Sequence, residues 1–163
     1  HNAAKHSPYK DFTIRQIKAL SNAQIDDYQT GRGMGMALAA ELNQYPGPLH
    51  VLELAEKLEL EPQQQRETEK LFEQMRMQAV ALGKQIIEHE SELDQLFADR
   101  AIDEQALAAK LALIAKLQGE LRHIHLKTHL KMRELLTPHQ VHAYVKLRGY
   151  ANKLQEHKHS AHH

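Results

Sequence analysis

The chain of 163 residues contains no cysteine and no tryptophan. Without thiols there is no disulfide framework, no thiolate zinc site and no thiol catalysis. Aromatic residues are scarce at 5%, and the apolar 42% is mostly Leu and Ala, the palette of a helical bundle. No apolar run approaches the roughly 18 residues that a bilayer span needs, so membrane insertion is not expected. An excess of one charge sign is missing too: 21 basic and 21 acidic residues cancel. That balance removes the basic footprint of a nucleic-acid binder. A Gly-rich phosphate loop, a G-x-S-x-G elbow and a His-Glu-x-x-His motif are also absent, and catalysis is not expected.

Histidine is what the chain has in quantity. Its 13 copies would make the chain strongly cationic below neutral pH. His157, His159, His162 and His163 crowd the last seven residues, as a tag remnant or a native metal-gathering tail would. The first residue is His1 rather than Met, which a removed secretory signal or simple trimming would explain.

Nearly every segment reads as helix, divided by caps rather than by linkers. Ser21-Asn-Ala-Gln24 is a capping box that opens a helix running through Gln29. Gly31, Gly33 and Gly35 loosen the chain before Met36–Leu42 resumes helical character. Tyr45-Pro46-Gly47-Pro48 is a turn, and a short amphipathic helix is expected from Leu49 to Leu58. Pro62 then sits where a first helical turn tolerates proline, and the helical pattern runs on to Ala98 with an apolar stripe of Leu71, Met75, Ala79, Leu82, Ile86, Leu93 and Phe97. At 1.5 Å per residue that helix would be roughly 50 Å long. Asp103 caps a return helix from Glu104 to Leu135, striped by Ile114, Leu117, Leu121, Ile124 and Leu135. Thr137-Pro138-His-Gln140 opens the last helix, from Pro138 to Leu147. The expected architecture is all-α, a long antiparallel helical hairpin with shorter flanking helices. It divides into an N-terminal extension (1–20), one hairpin domain (21–150) and a His-rich tail (151–163). A lone hairpin leaves apolar surface uncovered, so a dimer is expected.

Leu20-Ser-Asn-Ala-Gln24, Leu60-Glu-Pro-Gln-Gln64 and Leu136-Thr-Pro-His-Gln140 share one grammar: Leu, a cap position, two residues, then Gln. The last two bracket the long hairpin. The pattern resembles the L-T-x-x-Q motif of the Spy/CpxP family of bacterial periplasmic proteins, a grouping that includes ZraP and CnrX of the heavy-metal resistance branch. Only Leu136–Gln140 is a full match; position 61 carries Glu and position 21 Ser in place of Thr. The resemblance covers about residues 60–150. It implies a periplasmic location, a four-helix hairpin-based fold and a homodimer. It also implies one of two functions: transition-metal binding in stress or resistance, or ATP-independent holding of unfolded client proteins. A membrane-bound regulator would be a partner in the first case.

The residues themselves point to the metal. His125-Leu-Lys-Thr-His129-Leu-Lys-Met132 sets two imidazoles and a thioether within about 60° of one another on a helix. Imidazoles at i and i+4 are a chelating geometry. Met132 follows His129 by three residues, where the metal-sensing branch has His-x-x-x-Met. The same positions border the apolar stripe, so packing competes with ligation for them. His50, just after the Pro46-Gly47-Pro48 turn, is a candidate third ligand. Met34 and Met36, in Gly33-Met-Gly-Met36, offer soft thioethers on a permissive backbone. Imidazole with thioether favours copper, with zinc, nickel or cobalt as alternatives. His89, His123, His139 and His142 are expected on solvated faces.

Overall fold

A computed structural model describes residues 5–150. Every regular element among them is helical, a long helix pair with shorter helices around it. The elements are a 3-10 turn at Lys10–Ile14, then α1 (Asn22–Thr30), α2 (Leu38–Glu41), α3 (Pro48–Glu53), α4 (Pro62–Ala98), α5 (Glu104–Leu135) and α6 (Pro138–Leu147). The His-rich tail lies outside the described residues.

Local chemistry sets the helix starts. Ser21 Oγ accepts the Gln24 amide at 3.0 Å while Gln24 Oε1 accepts the Ser21 amide at 2.8 Å, and Asp103 Oδ1 accepts the Ala106 amide at 2.8 Å. These bonds occupy donors that a first turn otherwise leaves free. Two short helices are shorter than periodicity suggests. The run expected over 36–42 narrows to α2, confined between the glycines and Gln44, which sits at φ 71 ahead of Pro46. The helix expected over 49–58 stops at Glu53 and continues as turns until Glu59, at φ 52. The segment before Ser21 is attached to the long pair as well: Ile17 and Leu20 are buried, and the Lys18 amide donates to Asp94 Oδ1 at 2.8 Å.

α4 and α5 pack along their length, with Gln64 meeting Leu135 at one end and Glu92 meeting Lys110 at the other. Helix α1 lies across α4 at Gly83, where a Cβ would fall 2.3 Å from the Tyr28 carbonyl oxygen; no larger residue permits that approach. Two apolar clusters result. One joins Ala79, Ile86, Leu117 and Leu121 beneath Tyr28 and Met36. The other joins Val51, Leu58, Met132, Leu136, Val141 and Tyr144, where α3, α5 and α6 meet. None of residues 87–113 is buried, so the remote end of the pair keeps Phe97, Leu111 and Leu113 exposed.

The shared Leu-cap-Gln grammar has a structural meaning at this second cluster. Gln64 Nε2 donates to Gln140 Oε1 at 2.8 Å, and Gln140 Nε2 donates back to Gln64 Oε1 at 3.0 Å. Each amide oxygen also caps its own helix, accepting from Glu61 and Thr137, while the amide nitrogens donate outward to Leu135 and Leu58 carbonyls. Only an amide carries donor and acceptor on one planar group, which explains Gln rather than Glu at both positions. Gln140→Glu removes two donors in a buried setting. Each carbonyl left unpaired costs about 1–3 kcal/mol, so the urea midpoint should fall with an unchanged m-value. An unaltered midpoint would show that the reciprocal pair does not hold the helix starts together.

Candidate metal site

Along α5 the inward positions read Ile114, Leu117, Leu121, His125, Thr128 and Met132. His125 therefore occupies a core position, in the seam between the two apolar clusters, and is only 3% exposed. Thr128 satisfies itself by donating to the Ile124 carbonyl at 2.8 Å. His125 does not: its Nε2 is buried and has no hydrogen-bond partner among the described residues. Such an atom costs about 1–3 kcal/mol, and native folds hold few of them. Burial, and secondarily the adjacent His129, depress the His125 pKa below its ordinary value, so the ring is neutral near pH 7.

His129, one turn further on, is set differently. Its Nδ1 lies 2.7 Å from the Tyr45 carbonyl oxygen, 84 residues away in sequence. A carbonyl only accepts, so Nδ1 carries a proton, and in the neutral ring it is Nε2 that presents the lone pair. Arg133 stacks its guanidinium over the Tyr45 ring at 4.4 Å and helps hold the turn against α5. The Cε1–Nε2 edge faces Gly47: a Cβ there would lie 2.8 Å from Cε1 and 2.9 Å from Nε2.

Glu41, at the end of α2, completes the surroundings. It is 7% exposed. Its Oε1 accepts from Tyr144 Oη at 2.5 Å and Tyr150 Oη at 3.2 Å, with Arg148 Nε at 3.7 Å. Burial first, and then Glu41, push the Tyr144 phenol far above its ordinary pKa and keep it a donor. Glu41 Oε2 has no hydrogen-bond partner among the described residues and sits 3.8 Å from His129 Nδ1.

Glu41, His125, His129 and His50 all border one cavity of about 450 Å³, whose other walls include Leu38, Phe72 and Met75. His50 is a partly exposed wall residue, with Nδ1 2.9 Å from Glu53 Oε2. The three thioethers expected as ligands are elsewhere. Met132 is fully buried among Val51, Leu136 and Tyr144, serving the apolar cluster. Met36 packs beneath α1's cluster and Met34 is 37% exposed at φ 52, and neither lines the cavity. His123, His139 and His142 are exposed, while His89 is partly buried, 3.3 Å from both Glu92 and Lys110. Among the described residues, no three His, Cys, Asp or Glu side chains gather closely enough to hold one ion. The site therefore brings together the two imidazoles, with a carboxylate and a third imidazole around the same space, and leaves Met132, Met34 and Met36 out.

No protein-family model, characterised protein or solved structure matches this chain.

Sequence reasoning does not single out Glu41, Tyr45 or Gly47. One signal for Glu41 is present: it is the sole charged residue between Arg32 and Glu53. A lone acid in so apolar a stretch is either a surface residue or a buried group with partners, and here it is the latter.

Because the folded pKa of His125 is depressed below about 6.5, the native state binds fewer protons than the unfolded chain as pH falls. Its contribution to stability is therefore present above that value and is lost toward acid pH. His125→Leu removes both the titration and the unpaired nitrogen. Melting of both proteins from pH 8 to pH 5 should show the balance shifting toward the variant as pH drops. A pH-independent difference would mean that His125 titrates alike in the folded and unfolded chain.

Proposed function

We propose that this chain binds a transition-metal ion through His125 and His129 and serves in periplasmic metal stress or resistance. The observation that carries the reading is the state of the two rings. One is buried and neutral with an unpaired nitrogen, and the other has its proton committed to a backbone carbonyl, so that its second nitrogen is a free base. Neutral imidazole with its remaining N–H tied to a carbonyl is the form in which histidine binds metals.

The fit to a metal is good in chemistry and incomplete in number. Two imidazoles with a carboxylate nearby suit borderline divalent ions. Copper(II) heads the affinity order, and nickel, cobalt and zinc are the alternatives. Met132, Met34 and Met36 lie outside the cavity, and the one methionine on its wall, Met75, belongs to the buried apolar face of α4. Because no three side chains converge among the described residues, His125 and His129 leave coordination positions open. His50 lines the same cavity, with its Nδ1 2.9 Å from Glu53 Oε2. Bound at this seam, an ion would bias the packing of residues 41–50 against α5, which is how a change in occupancy would be passed to a partner.

A hairpin-based dimer of the Spy/CpxP kind is the proposed assembly. The exposed apolar side chains Met77, Phe97, Leu111 and Leu130 support it, and they equally favour a second reading as an ATP-independent holder of unfolded clients. Metal titration decides between the two. The full chain with His157, His159, His162 and His163 replaced by Ala should bind copper(II), nickel(II) or zinc(II) at one site per chain, and the same protein with His125→Ala and His129→Ala should lose it. Equal binding by both proteins would overturn the reading. Metal-independent suppression of client aggregation would then favour the second.

A further inference from the structure

The two imidazoles stand in unequal surroundings, and the difference assigns them unequal parts. Gly47 has φ −96 and ψ 151, a backbone that any residue adopts. The missing side chain is thus not demanded by conformation. What it secures is close contact: a Cβ at 47 would lie 2.8 Å from His129 Cε1 and 2.9 Å from Nε2, against that edge of the ring, so a larger residue would push the imidazole out of place. An ion bound to Nε2 depends on that placement of the ring.

On the Nδ1 side stands Glu41. Its Oε1 is held by Tyr144 and Tyr150, which leaves Oε2 buried, 3.8 Å from Nδ1 and without a donor among the described residues. A desolvated carboxylate oxygen beside an imidazole is a standing negative potential, and it is stabilised when the ring gains positive charge. The ring gains that charge when Nε2 takes a cation, because polarisation spreads to the Nδ1–H. His125 has no carboxylate in that position. Its nitrogen is buried in the seam without a partner among the described residues.

We propose that His129 is the anchoring ligand, that Glu41 is a positioning residue acting through it as a buried counter-charge, and that Gly47 lets the His129 ring seat against the Tyr45–Pro48 turn. The inference rests on the metal reading and makes it specific. Glu41 is not a ligand here, which accords with the failure of three side chains to converge among the described residues.

Zinc(II) alone is the probe, being diamagnetic, with the full chain carrying the four tail His→Ala changes as the parent. Glu41→Gln keeps an acceptor for both tyrosines, removes the charge that Arg148 Nε also faces at 3.7 Å, and places an amide NH2 at the Oε2 position. Removing an outer partner of this kind weakens metal binding about 10–100-fold, and the zinc-free His129 ring should keep its Nδ1–H tautomer in nitrogen-15 spectra. Glu41→Asp should recover part of the loss. Gly47→Ala should abolish the zinc-induced shift of His129 Nε2 while the protein still melts cooperatively. If the parent binds zinc and both Glu41→Gln and Gly47→Ala bind it equally well, the inference falls and the metal reading stands. If Glu41→Gln instead changes the resting tautomer of His129, Glu41 is a structural prop and the inference also falls. If the parent binds no zinc, copper or nickel, the metal reading itself fails.

Discussion

The hydrogen bond from His129 to the Tyr45 carbonyl joins the first fifty residues to the long helix pair, and the site depends on it. It spans 84 positions, pins the Tyr45–Pro48 turn against α5 and sets the tautomer of the ring that makes it. Around it, Glu41 ties α2 to Tyr144 in α6 and to Tyr150 just beyond. Four parts of the chain thus meet through polar groups beside the apolar cluster of Val51, Met132 and Tyr144. In such surroundings each bond is strong, and each unpaired atom is costly.

The cost is borne at two atoms, His125 Nε2 and Glu41 Oε2. An apolar residue at 125 would continue the stripe from Leu121 to Met132 without that penalty. Its presence in the seam between two apolar clusters sets stability against a reactive nitrogen, the usual arrangement at a functional position. The interlocked Gln64 and Gln140 show the opposite case, a buried polar pair with every donor and acceptor used. One pair is a fastening, and the other is chemistry left available.

How much of this was legible in the sequence follows from how local each cause is. Ser21, Pro62, Asp103, Thr137 and Pro138 act within one turn, and the bounds of α4, α5 and α6 could be read from them. The His125–His129 spacing was legible for the same reason. Met132 was ambiguous, since i+3 on a helix serves a ligand and a core equally well, and the volume between α3 and α6 decided for the core. Glu41, Tyr45 and Gly47 were not legible, because their parts arise from contacts 80 to 110 positions distant, to which no periodicity points. The reciprocal glutamine pair was half legible: each Gln was visible as a cap, but not as the other's partner.

The central claim is that imidazole nitrogen, and not thioether sulfur, forms this site. X-ray absorption at the copper edge of copper(II)-loaded protein, with the tail histidines replaced, tests it directly. The account predicts a nitrogen and oxygen shell near about 2.0 Å with the outer scattering of imidazole rings. A sulfur shell, or a spectrum without imidazole scattering, would contradict it.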